Sequence, residues 1–171
     1  GFTLIELLVV IGILGVIAAA LLAAVNPVEQ IRKSQDTAQK YAASQFTGAA
    51  TRYYTSRSAL PWYSTANGGA NCYAASTTLT SVPLNSLAGC ITTLVSSGEL
   101  KQSFSSSTAM NTIYVTNPNP ITGSATSTVV CFQPQSASQQ KDPNTRYAQN
   151  GAIGTSCKSQ GGTNNCYWCE P

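Results

Sequence analysis

The first 25 residues decide the fold of this chain, and they are Gly1–Val25, GFTLIELLVVIGILGVIAAALLAAV. Glu6 carries the only charged side chain in this stretch. At about 1.5 Å of rise per residue, a helix over this stretch nearly crosses a hydrocarbon core, which takes roughly 20 apolar residues. Because a carboxylate is costly in such a helix, we expect Glu6 to have a partner and a purpose.

The residues on either side of the apolar run indicate that it is kept in the mature protein. The chain has no initiator Met, no basic segment before the run and no small-residue cleavage site after Val25. A secretory signal peptide shows a basic start, a shorter apolar run and a cleavage site just after it. Here the run continues into Asn26 and Pro27, so we expect an N-terminus that is already processed.

The motif GFTLIELLVV resembles the N-terminal signature of type IV pilins and the related pseudopilins. In that family a dedicated peptidase cuts a leader at a Gly-Phe junction and methylates the new N-terminus. The resemblance implies that Phe2 is the methylated residue and that Glu6 pairs with the terminal ammonium of a neighbouring subunit. Gly1 departs from the pattern, because it normally stays with the leader. Either the numbering retains one leader residue, or cleavage lies one position earlier and Gly1 carries the free amine.

Electrostatics gives Glu6 the same role. A carboxylate and an N-terminal ammonium are each unfavourable in lipid, and both are neutralised if each meets the other from a neighbouring subunit. Glu6 would then set the register of assembly. The alternative is a side chain that only reaches toward the membrane surface.

A break or kink in the N-terminal helix is expected between Gly15 and Pro27. Glycine weakens a helix, and Pro27 lacks an N–H and disfavours helix at Asn26. The resemblance implies unwinding between a Gly and a Pro in this segment. Gly15 matches that Gly, whereas Ala23 stands where the Pro is usual. The alternative is a continuous helix that Pro27 only bends.

Residues 28–58 are predicted to form the amphipathic half of the long helix. The helix should fade near Arg57 and stop before Pro61. Its apolar side chains recur at helical spacing and are Val28, Ile31, Ala38, Tyr41, Ala42, Phe46, Ala49, Ala50 and Tyr53. The charged side chains predicted for the other face are Glu29, Arg32, Lys33, Asp36 and Lys40. We expect this charged face to be solvated or, in an assembly, to meet charges on neighbouring subunits.

The predicted fold class is α+β, with residues 1–27 as a transmembrane or filament-core helix and residues 59–171 as a globular β-sheet head. Strands are predicted around Ile113 and Val115, in STVVCF (127–132) and around Tyr147. A short helix is predicted between Asn85 and Gly98, and the segment TNPNPITG (116–123) indicates a loop. A small antiparallel sheet packed on the second half of the long helix is the economical architecture, and the resemblance implies the same one.

Six cysteines indicate a disulfide-stabilised head, since the anchor places the C-terminal part outside the cytoplasm. They are Cys72, Cys90, Cys131, Cys157, Cys166 and Cys169. Sequence alone does not choose among the pairings. Locality favours Cys72 with Cys90, and a pairing of Cys131 with Cys157 would leave Cys166 with Cys169.

The residue types argue against an enzyme, a cofactor or a metal site. There is no His, which removes the commonest general base and metal ligand. Cys166-Tyr-Trp-Cys169 has the spacing of a redox motif, the late cysteines could bind zinc, and Asp142 could help bind calcium. Structural disulfides and a turn at Asp142 are the favoured interpretations.

Aromatic residues near cations raise a nucleic-acid alternative. The aromatic side chains are Trp62, Tyr63, Tyr73, Tyr147, Tyr167 and Trp168. The cations are Arg52, Arg57, Lys101, Lys141, Arg146 and Lys158. Together they would offer a surface that stacks bases and binds phosphates of DNA. The favoured interpretation is that the aromatics pack the head and its subunit contacts, because the net charge is only +3 and the cations are scattered.

These features predict a structural protein, the major subunit of a type IV pilus filament. The resemblance implies an inner-membrane subunit that a prepilin peptidase and the pilus assembly machinery convert into a homopolymer on the bacterial surface. The filament would serve adhesion, twitching motility or DNA uptake, with DNA or a surface as its ligand. The alternatives are a major pseudopilin of a type II secretion system, a minor pilin at a filament tip, and a membrane-anchored binding module that never polymerises. Glu6 argues against the last of these, since a monomeric anchor has no use for an unpaired intramembrane carboxylate.

Overall fold

The computed structural model of the chain describes residues 1–24, 26–63, 69–73, 78–117 and 128–170. Within them, an apolar N-terminal helix precedes further helices and a four-stranded antiparallel sheet, so the predicted α+β class is confirmed. Helix α1 spans Leu4–Ala24 and helix α2 spans Pro27–Arg57. Val25, predicted as the end of the apolar run, and residues 118–123 of the predicted loop lie outside the described residues.

The interruption between the two long helices lies at Asn26. This residue has an extended backbone (φ −87°, ψ 95°), and its Oδ1 accepts a hydrogen bond from the Glu29 N–H at 3.2 Å. Pro27 follows at the start of α2, where its missing N–H would have had no helical partner. Gly15 lies within the continuous turns of α1. The side-chain cap and the proline together explain why α2 begins where it does.

Helix α2 ends at Arg57, in agreement with the sequence. Ser58 adopts a left-handed conformation (φ 56°), and its N–H donates to the Tyr54 carbonyl at 2.7 Å. This closure satisfies one of the last free carbonyls of the helix. The chain then turns toward the buried Leu60 and Trp62.

The sheet follows the order of its strands along the chain. Its strands are β1 (Leu79–Pro83), β2 (Ile113–Asn117), β3 (Val129–Phe132) and β4 (Trp168–Glu170), and each neighbour is antiparallel. The strand predicted around Ile113 is present, and the one predicted in STVVCF is present over Val129–Phe132. Tyr147 forms isolated bridges to Ile153 and Tyr167 where a strand was expected.

The described part of the head also contains two short α-helices. Helix α3 spans Ala88–Ser96 and is preceded by a 3-10 turn at Leu84–Leu87, so the predicted short helix begins as a tighter turn. Gly98 follows it with φ 79°, a left-handed value that suits the predicted stop. Helix α4 spans Ala137–Gln140 in the connection between β3 and β4.

The core lies between one face of α2 and the sheet. The Phe46 ring lies 6.4 Å from both the Trp62 and the Phe104 ring centroids, and all three side chains are buried. The predicted apolar face of α2 is wrong at Val28, Ile31 and Tyr41, which are more than half exposed. The first buried residue of α2 is Asp36, and Val28 and Ile31 precede it in the exposed first turns of the helix. Tyr41 lies about 140° around the helix from Phe46 and faces away from the core.

Candidate assembly site

Helix α1 exposes its large apolar side chains on every side. The least exposed of them, Ile17, still exposes 49% of its surface. Among the described residues, Leu4–Leu22 form one helical segment long and apolar enough to cross a membrane, with a mean hydropathy of 2.8. A helix that is apolar all round needs an apolar environment on all sides. Lipid or the helices of other subunits can supply that environment.

Glu6 has a partner within its own chain. The Thr3 N–H and the Thr3 Oγ1 hydroxyl both donate to Glu6 Oε2 at 2.8 Å, and the Glu6 N–H donates back to Thr3 Oγ1 at 3.3 Å. This reciprocal arrangement is a capping box, which satisfies free N–H groups at a helix N-terminus. The Thr-x-x-Glu spacing of residues 3–6 is its sequence signature, a signal that sequence reasoning missed.

Two polar groups at this end of α1, Glu6 Oε1 and the Gly1 amine, have no partner in the described part of the chain. Both Thr3 bonds end on Glu6 Oε2. No described residue donates a hydrogen bond to the other carboxylate oxygen, Oε1. The amine of Gly1 forms no ion pair there either. Gly1, Phe2 and Glu6 therefore lie exposed at the same end of the helix. The Gly1 amine and the Glu6 carboxylate do not bond to each other there. An acceptor and a cation thus lie at the same end of the chain without a bond between them.

Asp36 shows that the charged face of α2 is not simply solvated. Its carboxylate is fully buried. The Gln135 N–H donates to Oδ1 at 2.9 Å, while the Ser136 N–H and hydroxyl donate to Oδ2 at 2.9 and 2.6 Å. A buried carboxylate is tolerated when such donors surround it. The predicted solvated position is therefore wrong for Asp36, which fixes the segment after β3 to the helix.

Glu29 and Lys40 strengthen the same attachment. The Ala137 N–H, at the start of α4, donates to Glu29 Oε1 at 2.7 Å. Lys40 Nζ lies 3.8 Å from Asp142 Oδ2 and 5.0 Å from the centre of the Trp168 ring. We call Glu29, Asp36 and Lys40 the α2 clamp. Sequence reasoning missed it because the partners of Asp36 lie about a hundred residues away along the chain.

All six cysteines form disulfides, and the expected pairing is only partly right. Cys72 bonds Cys90 as expected, but Cys131 bonds Cys169 and Cys157 bonds Cys166. The expectation of Cys131 with Cys157 and Cys166 with Cys169 is wrong. The reason is strand register, since β3 and β4 place Cys131 directly opposite Cys169 with their Cα atoms 4.1 Å apart.

This pairing removes the redox and zinc interpretations. Cys166 and Cys169 belong to different bridges, so they do not form a dithiol pair. The described residues contain no free cysteine and no cluster of metal-binding side chains. Asp142 forms the expected turn, with its Oδ1 accepting from the Asn144 N–H at 2.8 Å.

The aromatic and basic residues are largely engaged within the head. Trp62 and Tyr63 are buried, and Arg52 Nε lies 3.0 Å from Glu99 Oε2. Arg146 stacks its guanidinium on the Tyr147 ring at 5.6 Å. Packing within the head, the favoured interpretation, explains Trp62 and Tyr63, which are too buried to stack on the bases of the DNA alternative.

Comparison with known proteins identifies the N-terminal segment. Residues 1–22 match the family model described as the prokaryotic N-terminal methylation motif. This segment is therefore a type IV pilin-like prepilin signature, and it implies processing by a prepilin peptidase and membrane assembly machinery. No curated protein and no solved structure matches the chain.

Proposed function

We propose that this chain is the major structural subunit of a type IV pilus filament. One observation carries the proposal: the methylation motif lies on a helix that is exposed on all sides, with a carboxylate oxygen that no described residue satisfies. Such a helix favours lipid first and neighbouring helices afterwards.

In the proposed mechanism the subunit is stored in the inner membrane through α1. The N-terminal ammonium of one subunit then meets Glu6 of the next, and the pairing neutralises two charges that an apolar core would disfavour. The α1 helices replace lipid as one another's neighbours in a homopolymer, and the heads cover the filament surface. The filament on the bacterial surface would serve adhesion, twitching motility or DNA uptake.

The test separates the charge of Glu6 from its role in the capping box. Glu6→Gln removes the charge but keeps a carbonyl oxygen that can accept from Thr3. Thr3→Ala removes the Thr3 hydroxyl and keeps the carboxylate. We expect Glu6→Gln to remain in the membrane fraction and to yield no filaments, while Thr3→Ala still assembles. Shearing the cell surface, followed by electron microscopy and intact mass, measures both outcomes.

Normal filaments from Glu6→Gln would overturn the role assigned to this carboxylate. If the unaltered chain stays with the membrane and no filaments shear off, a secretion pseudopilin or a membrane-anchored binding module replaces the pilus proposal. The intact mass also locates the cleavage site, because a chain that starts at Phe2 lacks the mass of Gly1.

A further inference from the structure

Three neighbouring cavities run around the head from α2 to the C-terminal loop. The first, about 280 Å³, is lined by Gln39, Thr112 and Gln135 among others, and the second, about 170 Å³, shares Thr112 and Gln135 with it. The third, about 410 Å³, shares Tyr167 with the second. We call this run of three cavities the neutral groove. Each cavity thus shares at least one lining residue with the next.

The lining of the neutral groove is polar but uncharged. Among the described residues, its walls consist of amides, hydroxyls, small side chains, a bridged cysteine and tyrosines, with no charged side chain in any of the three cavities. A separate cavity of about 150 Å³ differs, because Arg52, Glu99 and Lys101 line it. Amides and hydroxyls both donate and accept hydrogen bonds. The groove thus suits a ligand that does both and carries no charge.

Several contacts hold the walls of the groove in place. The Gln39 amide Nε2 donates to Thr112 Oγ1 at 2.9 Å, and Gln133 Nε2 donates to the Asn165 carbonyl at 3.0 Å. Tyr147 and Tyr167 exchange two backbone hydrogen bonds at 3.1 and 2.8 Å. A preformed site loses less conformational freedom when a ligand binds.

The tyrosines give the groove an apolar component. The Tyr114 and Tyr167 rings meet edge to face with their centroids 6.1 Å apart. Burial raises the pKa of the Tyr167 phenol, and the neighbouring Tyr114 raises it further. The phenol is therefore neutral at physiological pH, with a polar tip and an apolar ring face.

We propose that the neutral groove binds a linear, uncharged oligosaccharide. Sugar hydroxyls donate and accept hydrogen bonds, as the amide and hydroxyl walls do. The apolar face of a sugar ring can lie against Tyr167, and the extended shape of the groove suits several linked rings. An anionic chain would gain no charge partner in these walls and would lose hydration. This inference concerns the single subunit and does not depend on filament formation.

The experiment uses the full chain in lipid nanodiscs whose lipids carry no sugar. Saturation-transfer NMR measures binding of cellohexaose, maltohexaose and N-acetylchitohexaose, with an alginate oligosaccharide as the anionic comparison. We expect at least one neutral probe to bind about tenfold more tightly than alginate. Tyr167→Ala should weaken that binding about tenfold. Tyr41→Ala is the matched control, because this tyrosine is exposed on α2 outside the groove.

Intact mass with all three disulfides and an unchanged unfolding midpoint would show that Tyr167→Ala still folds. If it does not, Gln135→Ala replaces it, since that change keeps the backbone N–H that Asp36 binds. The proposal is overturned if no neutral probe receives saturation, if alginate binds as tightly, or if the groove variant binds as Tyr41→Ala does.

Discussion

Helices α1 and α2 are adjacent in sequence, but α1 is exposed whereas α2 packs one face against the head. The apolar side chains of α1 are exposed from Leu4 to Leu22, whereas α2 buries a stripe from Asp36 to Tyr53 against the head. The first helix carries one acid that its own Thr3 caps, and the second buries an acid that ties down a distant loop. Both segments form helices, so local helix formation does not distinguish them. They differ in the surroundings of their side chains, which are exposed in α1 and partly packed against the head in α2.

The comparison separates two kinds of stabilisation. Helix α2 is stabilised within the subunit, because its face completes a core and the α2 clamp supplies directional bonds. Within the described ranges α1 has no such contacts, so it depends on an apolar environment outside the subunit. Substitutions in the two helices should therefore report on different equilibria. Unfolding of the head can be followed separately because both tryptophans of the chain belong to it.

The largest expected difference between the two helices comes from truncating one apolar side chain in each. Phe46→Ala should destabilise the head by about 3–5 kcal/mol, because it empties a fully buried site beside Trp62. Leu14→Ala, whose side chain is 58% exposed in α1, should leave head unfolding unchanged. Urea unfolding in nanodiscs, followed by tryptophan fluorescence, measures both. A shift for Leu14→Ala as large as that for Phe46→Ala would break the distinction.

A smaller effect is expected at the clamp. Asp36→Asn should cost about 2–4 kcal/mol, since it removes the charge that three donors of Gln135 and Ser136 share. The same fluorescence measurement applies, and hydrogen exchange at the Ser136 amide should rise. Glu170→Gln is the control, because Glu170 is a half-buried acid on β4 that accepts none of the three bonds from Gln135 and Ser136. Equal losses from the two variants would contradict the role given to Asp36.

The smallest effect should come from the partly exposed end of the clamp. Lys40→Gln should cost about 0–1 kcal/mol, because its ion pair with Asp142 is long and both side chains are 28% exposed. The loss should shrink in high salt, which screens such pairs. Unfolding midpoints at low and high salt check this, with Lys141→Gln as the exposed control. A salt-independent loss would instead point to the contact with Trp168.

The parts of the fold that depend on local pattern were predictable. The end of α2 at Arg57 and the strand around Ile113 follow from helical and alternating spacing and from Pro61. The N-terminal segment was likewise recognisable from its residues alone, because the methylation motif is continuous in sequence.

The parts that depend on distant contacts were not predictable. In the sequence, Asp36 looks like any polar residue on the exposed face of an amphipathic helix. Only the fold shows that the Gln135 and Ser136 N–H groups donate to it. The partner of Cys131 depends on which residue β4 places opposite it, and locality in sequence does not encode that register. The same holds for the neutral groove, whose walls come from α2, β2 and the C-terminal loop.

The capping box at the start of α1 also has a kinetic consequence for the proposed assembly. Thr3 occupies only Oε2 of the Glu6 carboxylate, so an incoming ammonium can bind Oε1 while both Thr3 bonds remain in place. Docking of a neighbour then completes the set of donors around Glu6 without displacing any of them. Neither Thr3 bond has to break first, so rupture of the cap contributes nothing to the activation barrier for joining one subunit to the next.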